Sequence, residues 1–243
     1  MASTKDNIIA QLRKDILPLQ GFRATANAIC NDVDLGPIND SFPNARFPLG
    51  AIHEFCCTGI EEAAASSGFI AGILSALMQN GGVCLWVSAS RKVFPMGLKT
   101  FGIDPDKIIF VDLQKEKDIL WTMEEALKCD GLAAVLGEMS EFSFTASRRF
   151  QLAVDQSGVT GFILRLNPRN LNTTATVTRW RITSLPSVLT DDMPGVGFFR
   201  WNAELIKVRN GKPGSWPIEW IEGRFRHISS IEIIPYEQEK KIG

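Results

Sequence analysis

The 243-residue sequence predicts an α/β fold, a mostly parallel sheet flanked by helices and extended by C-terminal antiparallel strands. Three observations carry this reading. Between residues 51 and 165 short apolar runs alternate with helical patterns, as strand–helix–strand units require. Beyond residue 173 the apolar period changes to two. Turn residues rich in Asn, Gly and Pro then separate the alternating segments.

The elements follow in order. Residues 5–20 place Ile8, Leu12, Ile16 and Leu19 close to one helical face, and Pro18 ends that helix. Residues 21–50 are rich in Asn, Asp, Pro and Gly and read as loop. The first strand is 51–57, and the helix after it carries Phe69, Ile73 and Leu77 at helical spacing until Gly81-Gly82. Strands at 83–87 and 108–111 enclose a short helix at 95–101. The helix at 115–129 has Ile119, Leu120, Met123 and Leu127 on one side. A strand at 132–136 leads to a helix at 145–157, whose inner face holds Ala146, Phe150, Ala153 and Val154. At least one of Arg148 and Arg149 must then reach solvent. A fifth apolar strand at 159–165 completes the parallel, doubly covered part, with right-handed crossovers. Residues 174–182, 203–209 and 216–221 read as antiparallel strands, with 186–199 as a loop and 210–214 as a turn. The organisation is an N-terminal helix and linker (1–40), a core domain (41–228) and a polar tail (229–243).

Composition narrows the function. A hydrophobic fraction of 45% and a charged fraction of 22% fit a globular domain. The five cysteines, at 30, 56, 57, 84 and 129, form no C-x-x-C pair, so reduced thiols in a cytoplasmic protein are expected and a zinc site is not. His53 and His227 have no metal-ligand spacing, and His53 falls on a strand, where a structural role fits better than catalysis. No uninterrupted apolar run is long enough to cross a bilayer, and the N-terminus has no signal pattern, so no membrane contact is expected. The net charge of −1 hides an asymmetry: residues 1–164 hold 14 Lys/Arg against 19 Asp/Glu, and residues 165–226 hold 10 against 5. A basic C-terminal third suits nucleic acid, an acidic protein surface, or plain solvent.

The segment after the first strand is where a phosphate-binding loop would be built, and it lacks the parts. Such a loop reads G-x-x-x-x-G-K-[ST], its Lys reaching the β/γ-phosphates and its hydroxyl the Mg²⁺. Here Thr58, Gly59, Glu61, Glu62, Ser66, Ser67 and Gly68 occupy the position, and no Lys or Arg occurs between Arg46 and Arg91. Each missing charge-assisted hydrogen bond forfeits roughly 1.5–3 kcal/mol. After the second strand Ser88-Ala89-Ser90 offers no acid, and Asp112 and Glu138 read as solvated strand-end acids. There is no G-x-S-x-G elbow, and no Cys/His or Ser/His pair has support. The expectation is a protein without catalytic residues, metal or cofactor, acting through its surfaces.

Trp180, Trp201, Trp216, Trp220, Phe198, Phe199 and Phe225 crowd the C-terminal third together with Arg179, Arg181, Arg200, Arg224 and Arg226. That is the composition of a nucleic-acid platform or a protein hot spot. Alternating strands with aromatics inside and arginines outside would give it too, and for most of these residues that is the preferred reading. The segment 216–227 (Trp216, Trp220, Arg224, Phe225, Arg226 and His227) is the candidate docking element, and Arg148 and Arg149 are the second candidate.

Several motifs carry a family resemblance. Pro48-Leu49-Gly50-Ala51-Ile52-His53-Glu54-Phe55 resembles the P-x-G-x-I-x-E-I lead-in to the phosphate loop of RecA. Phe101-Gly102-Ile103-Asp104-Pro105-Asp106-Lys107-Ile108 resembles the RecA segment before its third strand. Ser147-Arg148-Arg149-Phe150-Gln151-Leu152-Ala153 resembles the L-R-R-L-Q-L-A run of the ImuA family, the RecA-like accessory proteins of bacterial mutagenic translesion synthesis. Arg179-Trp180-Arg181-Ile182 and the run from Ala203 to Gly214 also resemble ImuA strands, so the match spans residues 42–227. The resemblance implies a RecA-like fold that has lost ATP hydrolysis. It implies a role in the DNA-damage (SOS) response, assisting an ImuB-like relative of the Y-family polymerases and an error-prone C-family DNA polymerase. RecA and DNA are further partners to consider, and the ImuB-like protein is the natural occupant for 216–227. A divergent RecA-type DNA-dependent ATPase and a SulA-like cell-division inhibitor are the alternatives. The cation-free loop argues against the first, and the C-terminal strands and length against the second.

Overall fold

The computed structural model describes residues 33–187 and 197–228. The helix expected at 5–20, the first part of the linker, Cys30 and the tail at 229–243 lie outside the described residues. The strands are β1 (Ile52–Cys57), β2 (Val83–Ser88), β3 (Ile108–Asp112), β4 (Leu132–Met139), β5 (Thr160–Leu166), β6 (Thr178–Leu185), β7 (Phe199–Val208), β8 (Gly214–Ile221) and β9 (Arg224–His227). The helices are α1 (Ile60–Met78), α2 (Glu116–Leu127) and α3 (Phe144–Ser157). All nine strands join one sheet in the order β3-β2-β4-β5-β1-β6-β7-β8-β9.

The first six strands in that order run parallel, and β7, β8 and β9 are antiparallel. The sequence reading, which placed residues 174–182 among the antiparallel strands, holds for the pairing of β6 with β7 and is corrected on its other edge. Strand β6 lies parallel to β1, with His53 opposite Thr178. Period-two alternation reports a half-buried strand but not its direction. The direction is set by the chain after β5, which returns to the start of β1, where the Val177 N–H bonds the Ile52 carbonyl at 2.9 Å. Strand β9 was not expected, and residues 95–101 form a 3-10 helix.

Two apolar layers hold the sheet. On one face α1 packs through Phe69, Ile70, Ile73 and Leu74 against Phe55, Leu136, Phe162 and Trp180. On the other, α2 and α3 pack through Ile119, Met123, Phe150 and Val154 against Ile52, Val87, Val135 and Ile163. By length and composition α1 could cross a membrane, but half of that stretch is buried in the core, with Phe69, Ile70, Ile73 and Leu74 against the sheet. Helix α3 is bounded by its sequence: the Ser143 hydroxyl accepts from the Ala146 N–H at 3.1 Å, and Gly158 closes it at φ +78°.

The expected linker is corrected in its second half. Val33, Leu35 and Ile38 are buried in the α1-side core together with Phe42 and Phe47, so residues 33–40 belong to the core domain. Two short 3-10 turns, Gly36–Ser41 and Pro43–Ala45, satisfy the Asn/Pro-rich composition without making the segment a tether.

Candidate functional site: strand ends and partner-facing surfaces

In an open α/β sheet ligands sit beyond the carboxyl ends of the strands. There the structure corrects the expected loop at 57–68. Only Thr58 and Gly59 separate β1 from α1, and residues 60–68 are helix. Local chemistry explains it. Glu61-Glu62-Ala63-Ala64-Ala65 is a strong helix-forming run, and acids in the first turn meet the positive end of the helix dipole. The Glu62 carboxylate reaches back and accepts from the Thr58 N–H at 2.7 Å, as in half of a capping box. A main-chain donor in the place a phosphate would use is thus already bonded to a carboxylate.

The hydroxyls nearby are also turned inward. Ser66 is buried and its oxygen accepts from the Cys57 thiol at 3.3 Å; Ser67 donates to the Ala63 carbonyl at 2.8 Å. Burial pushes the Cys57 thiol up to about 11 and Cys56 and Cys84 to about 12, so these thiols stay protonated. Ser88 is buried, and its hydroxyl has no hydrogen-bond partner among the described residues. Asp112 is exposed, as expected, and it also pairs with Arg91 at 2.8 Å. Glu138 is not a solvated acid: it is buried, accepts from the Trp86 indole N–H at 2.8 Å, and burial raises its pKa. No group of three or more potential metal ligands occurs among the described residues.

Sequence reasoning missed the most polar part of the interior. Glu54, 0% exposed, accepts from Arg165 Nη1 at 2.9 Å, Arg179 Nε at 3.0 Å and Thr174 Oγ1 at 2.7 Å. Asn172 adds a bond to Arg165, and Arg179 donates to the Asn172 carbonyl. Burial pushes the Glu54 carboxyl up, but the hydrogen bonds from Thr174, Arg165 and Arg179 outweigh it and hold it below the usual carboxylate range. The cluster pins the 167–177 segment across β1, β5 and β6. An acid inside an otherwise apolar strand was the signal that could have found it. His53 is structural, as its strand position suggested. It is stacked between Phe47 and Phe162, it donates through Nε2 to the Pro48 carbonyl, and it accepts at Nδ1 from Thr178.

The candidate docking residues separate by face. Trp220 and Phe225 are buried against α1, and Trp216 is half-buried against the same core. These aromatics complete the core, which corrects their reading as docking residues. Arg224, Arg226 and His227 are exposed, and Arg224 pairs with Glu222. Arg226 and Arg200 both bond the buried Glu219. The interleaving of aromatics and arginines is therefore alternation across β7–β9, with Trp201, Trp220 and Phe225 on the α1 side and Arg200, Arg224 and Arg226 on the other. Arg148 and Arg149 are both exposed, and Arg149 pairs with Glu124 of α2.

Known proteins place this geometry. No family model matches the chain. The RadB recombinase crystal structure is similar at a TM-score of 0.51 and 13% identity, covering 74% of this chain and 92% of that one. The fold is thus RecA-like. Protein ImuA of Caulobacter vibrioides, under the same name in strains NA1000/CB15N and ATCC 19089/CB 15, is 33% identical over 194 residues. The match covers 75% of this chain and 80% of that protein. With that identity over that length on a RecA-like sheet, the chain belongs to the ImuA family.

Proposed function

We propose that the chain is a non-catalytic accessory factor in damage-induced, error-prone translesion DNA synthesis. It works through protein contacts, with an ImuB-like relative of the Y-family polymerases and an error-prone C-family polymerase as partners in the cytoplasm. The observation that carries the reading is the Thr58 N–H bonded to Glu62 at the start of α1. A triphosphate there would have to displace a carboxylate from its own helix and would meet Glu61 beside it. The nearest cations in sequence, Arg46 and Arg91, lie beyond both ends of the β1–α1 unit, and Arg91 is committed to Asp112.

The test has two parts. Titration calorimetry of the full chain with ATP and Mg²⁺ is expected to show no binding, and micromolar affinity would sink the pseudo-ATPase reading in favour of a divergent ATPase. Deleting the gene is expected to abolish damage-induced mutagenesis while leaving division normal. A division phenotype with mutagenesis intact would point to the SulA-like alternative.

A further inference from the structure

A groove of about 370 Å³ opens between α1 and the 3-10 helix Pro95–Phe101. Its α1 wall is made of small residues, Ala64, Gly68 and Ala71, which lets the backbone form a shallow side. Leu98, Phe101 and Trp201 line it from the other side. That lining is rigid: Phe101 and Trp201 stack at 6.4 Å, and a Cβ at Gly68 would lie 3.1 Å from the Trp201 ring. The rim is unusual for a surface. The lining residues Phe94 and Phe199 are 72% and 45% exposed, and Met96, next to the lining Gly97 in sequence, is 51% exposed. Exposed aromatic and Met side chains clustered around a preformed concavity mark an interaction site rather than scattered surface residues.

Charge and polarity say what fits. Residues 89–100 along the rim contain Arg91, Lys92 and Lys99 and no carboxylate. Arg91 is held by Asp112, and the exposed Lys92 and Lys99 flank the lining residues Val93, Phe94 and Leu98 in sequence. Lys92 is also in electrostatic reach of the buried Glu138, and Glu61 stands one helical turn before Ala64 on the other wall. The lining offers few polar side chains to orient a small molecule: Ser67, whose hydroxyl is spent on its own helix, and Ser184. Nucleic acid would need a run of cations along a backbone track, and the groove lining holds none.

We propose that this groove docks a segment of a partner protein that inserts a bulky apolar side chain, with acidic residues flanking it to meet Lys92 and Lys99. The proposal rests on the reading above that the chain acts through protein contacts, and it names a site on α1 away from the arginine candidates.

The test pans a random peptide library displayed on phage against the full chain. Recovered peptides are then measured by fluorescence anisotropy on the wild type and three variants: Phe94→Asp, Ala64→Trp, and Lys92→Glu with Lys99→Glu. All four positions are exposed, so melting temperatures should stay unchanged. The expected result is peptides with Phe, Trp or Leu beside Asp or Glu, bound about tenfold more weakly by each variant. Recovering no peptides, recovering basic ones, or finding equal binding to all variants would overturn the proposal. An oligothymidine probe that binds the wild type and is lost on Phe94→Asp would also overturn it, assigning the groove to nucleic acid. A cellular arm separates the two readings. If gene deletion abolishes mutagenesis and Phe94→Asp restores it fully, the groove is wrong and the accessory role stands. If deletion leaves mutagenesis unchanged, the accessory role fails whatever the peptides do.

Discussion

Glu54 and His53 are neighbours on β1 that point to opposite faces, and both make the fold sensitive to acid. Glu54 sits between two arginines with no exposure, so Glu54→Gln removes one charge and leaves the others buried. Breaking a buried pair in this way costs about 3–5 kcal/mol, which urea denaturation would measure. Its folded pKa is depressed, so its contribution is present above the ordinary carboxylate range and is lost as pH falls through the folded value. His53 acts in a higher window. Complete burial holds it at about 3 against a usual 6.5, only partly offset by its bond to Pro48. The unfolded chain takes up this proton first, so stability contributed by neutral His53 is full above 6.5 and declines as pH falls toward 3. The expected slope approaches about 1.4 kcal/mol per pH unit between those two values and vanishes below the folded one. Urea midpoints between neutral and acid pH should fall for the wild type, and the slope in this window should flatten in His53→Gln. An equal slope in both proteins would show that His53 does not titrate there. Neither cluster was readable as a cluster in the sequence. Arg165 and Arg179 stand 111 and 125 positions from Glu54, and an apolar strand pattern absorbs one acid without comment.

At the scale of elements, α1 and β9 explain each other. Gly72 sits in the middle of α1, where glycine costs about 1 kcal/mol relative to alanine. A Cβ there would lie 2.5 Å from the Phe225 ring and 3.0 Å from Trp220. Helix and strands approach so closely because position 72 has no side chain, and Phe225 fills the space. Gly72→Val should therefore lower stability by about 1–3 kcal/mol through overpacking, despite a better helix former at the position. Thermal denaturation would show this, and a variant as stable as wild type would mean that β9 can shift away at no cost. The repeating units from β1 to β5 were legible because apolar runs and helical spacing report burial directly. The start of α1 was not. Gly59, Ser66, Ser67 and Gly68 read as loop residues one by one and mask the helix-forming run 61–65 between them, which the bond from Thr58 to Glu62 and the packing of Ser66 then confirm as helix. Four-residue β9 was too short for a pattern, and its Phe225 read as surface until α1 was seen beneath it.

Across the whole molecule the charge asymmetry gains a geometry. Arg165 and Arg179 of the basic stretch 165–226 join the interior cluster around Glu54, and Arg181, Arg200, Arg224 and Arg226 lie on the face of β6–β9 turned away from α1. On that face Arg181 faces Glu204, and Arg200 and Arg226 close over Glu219. Glu219 is 1% exposed, so it depends on those two arginines for its charge balance. This decides how the face should be tested as a partner site. Changing Arg226 to Glu would set a second carboxylate against a buried one and unfold the edge for reasons unrelated to binding. Arg224→Gln with Arg226→Gln removes two exposed charges and leaves Arg200 on Glu219. The exposed Arg224–Glu222 pair contributes about 0–1 kcal/mol, but Arg226 bonds a buried carboxylate, so a modest drop in melting temperature is expected and binding is compared where both proteins are folded. If this face meets an acidic surface of the ImuB-like protein, the double variant should bind it several-fold more weakly at low salt. The deficit should shrink at moderate salt, where the Debye length falls to about 8–10 Å. Unchanged affinity at both salts, with an intact circular dichroism spectrum, would exclude Arg224 and Arg226 and leave the groove on α1 and the Arg148/Arg149 surface of α3 as the remaining candidates.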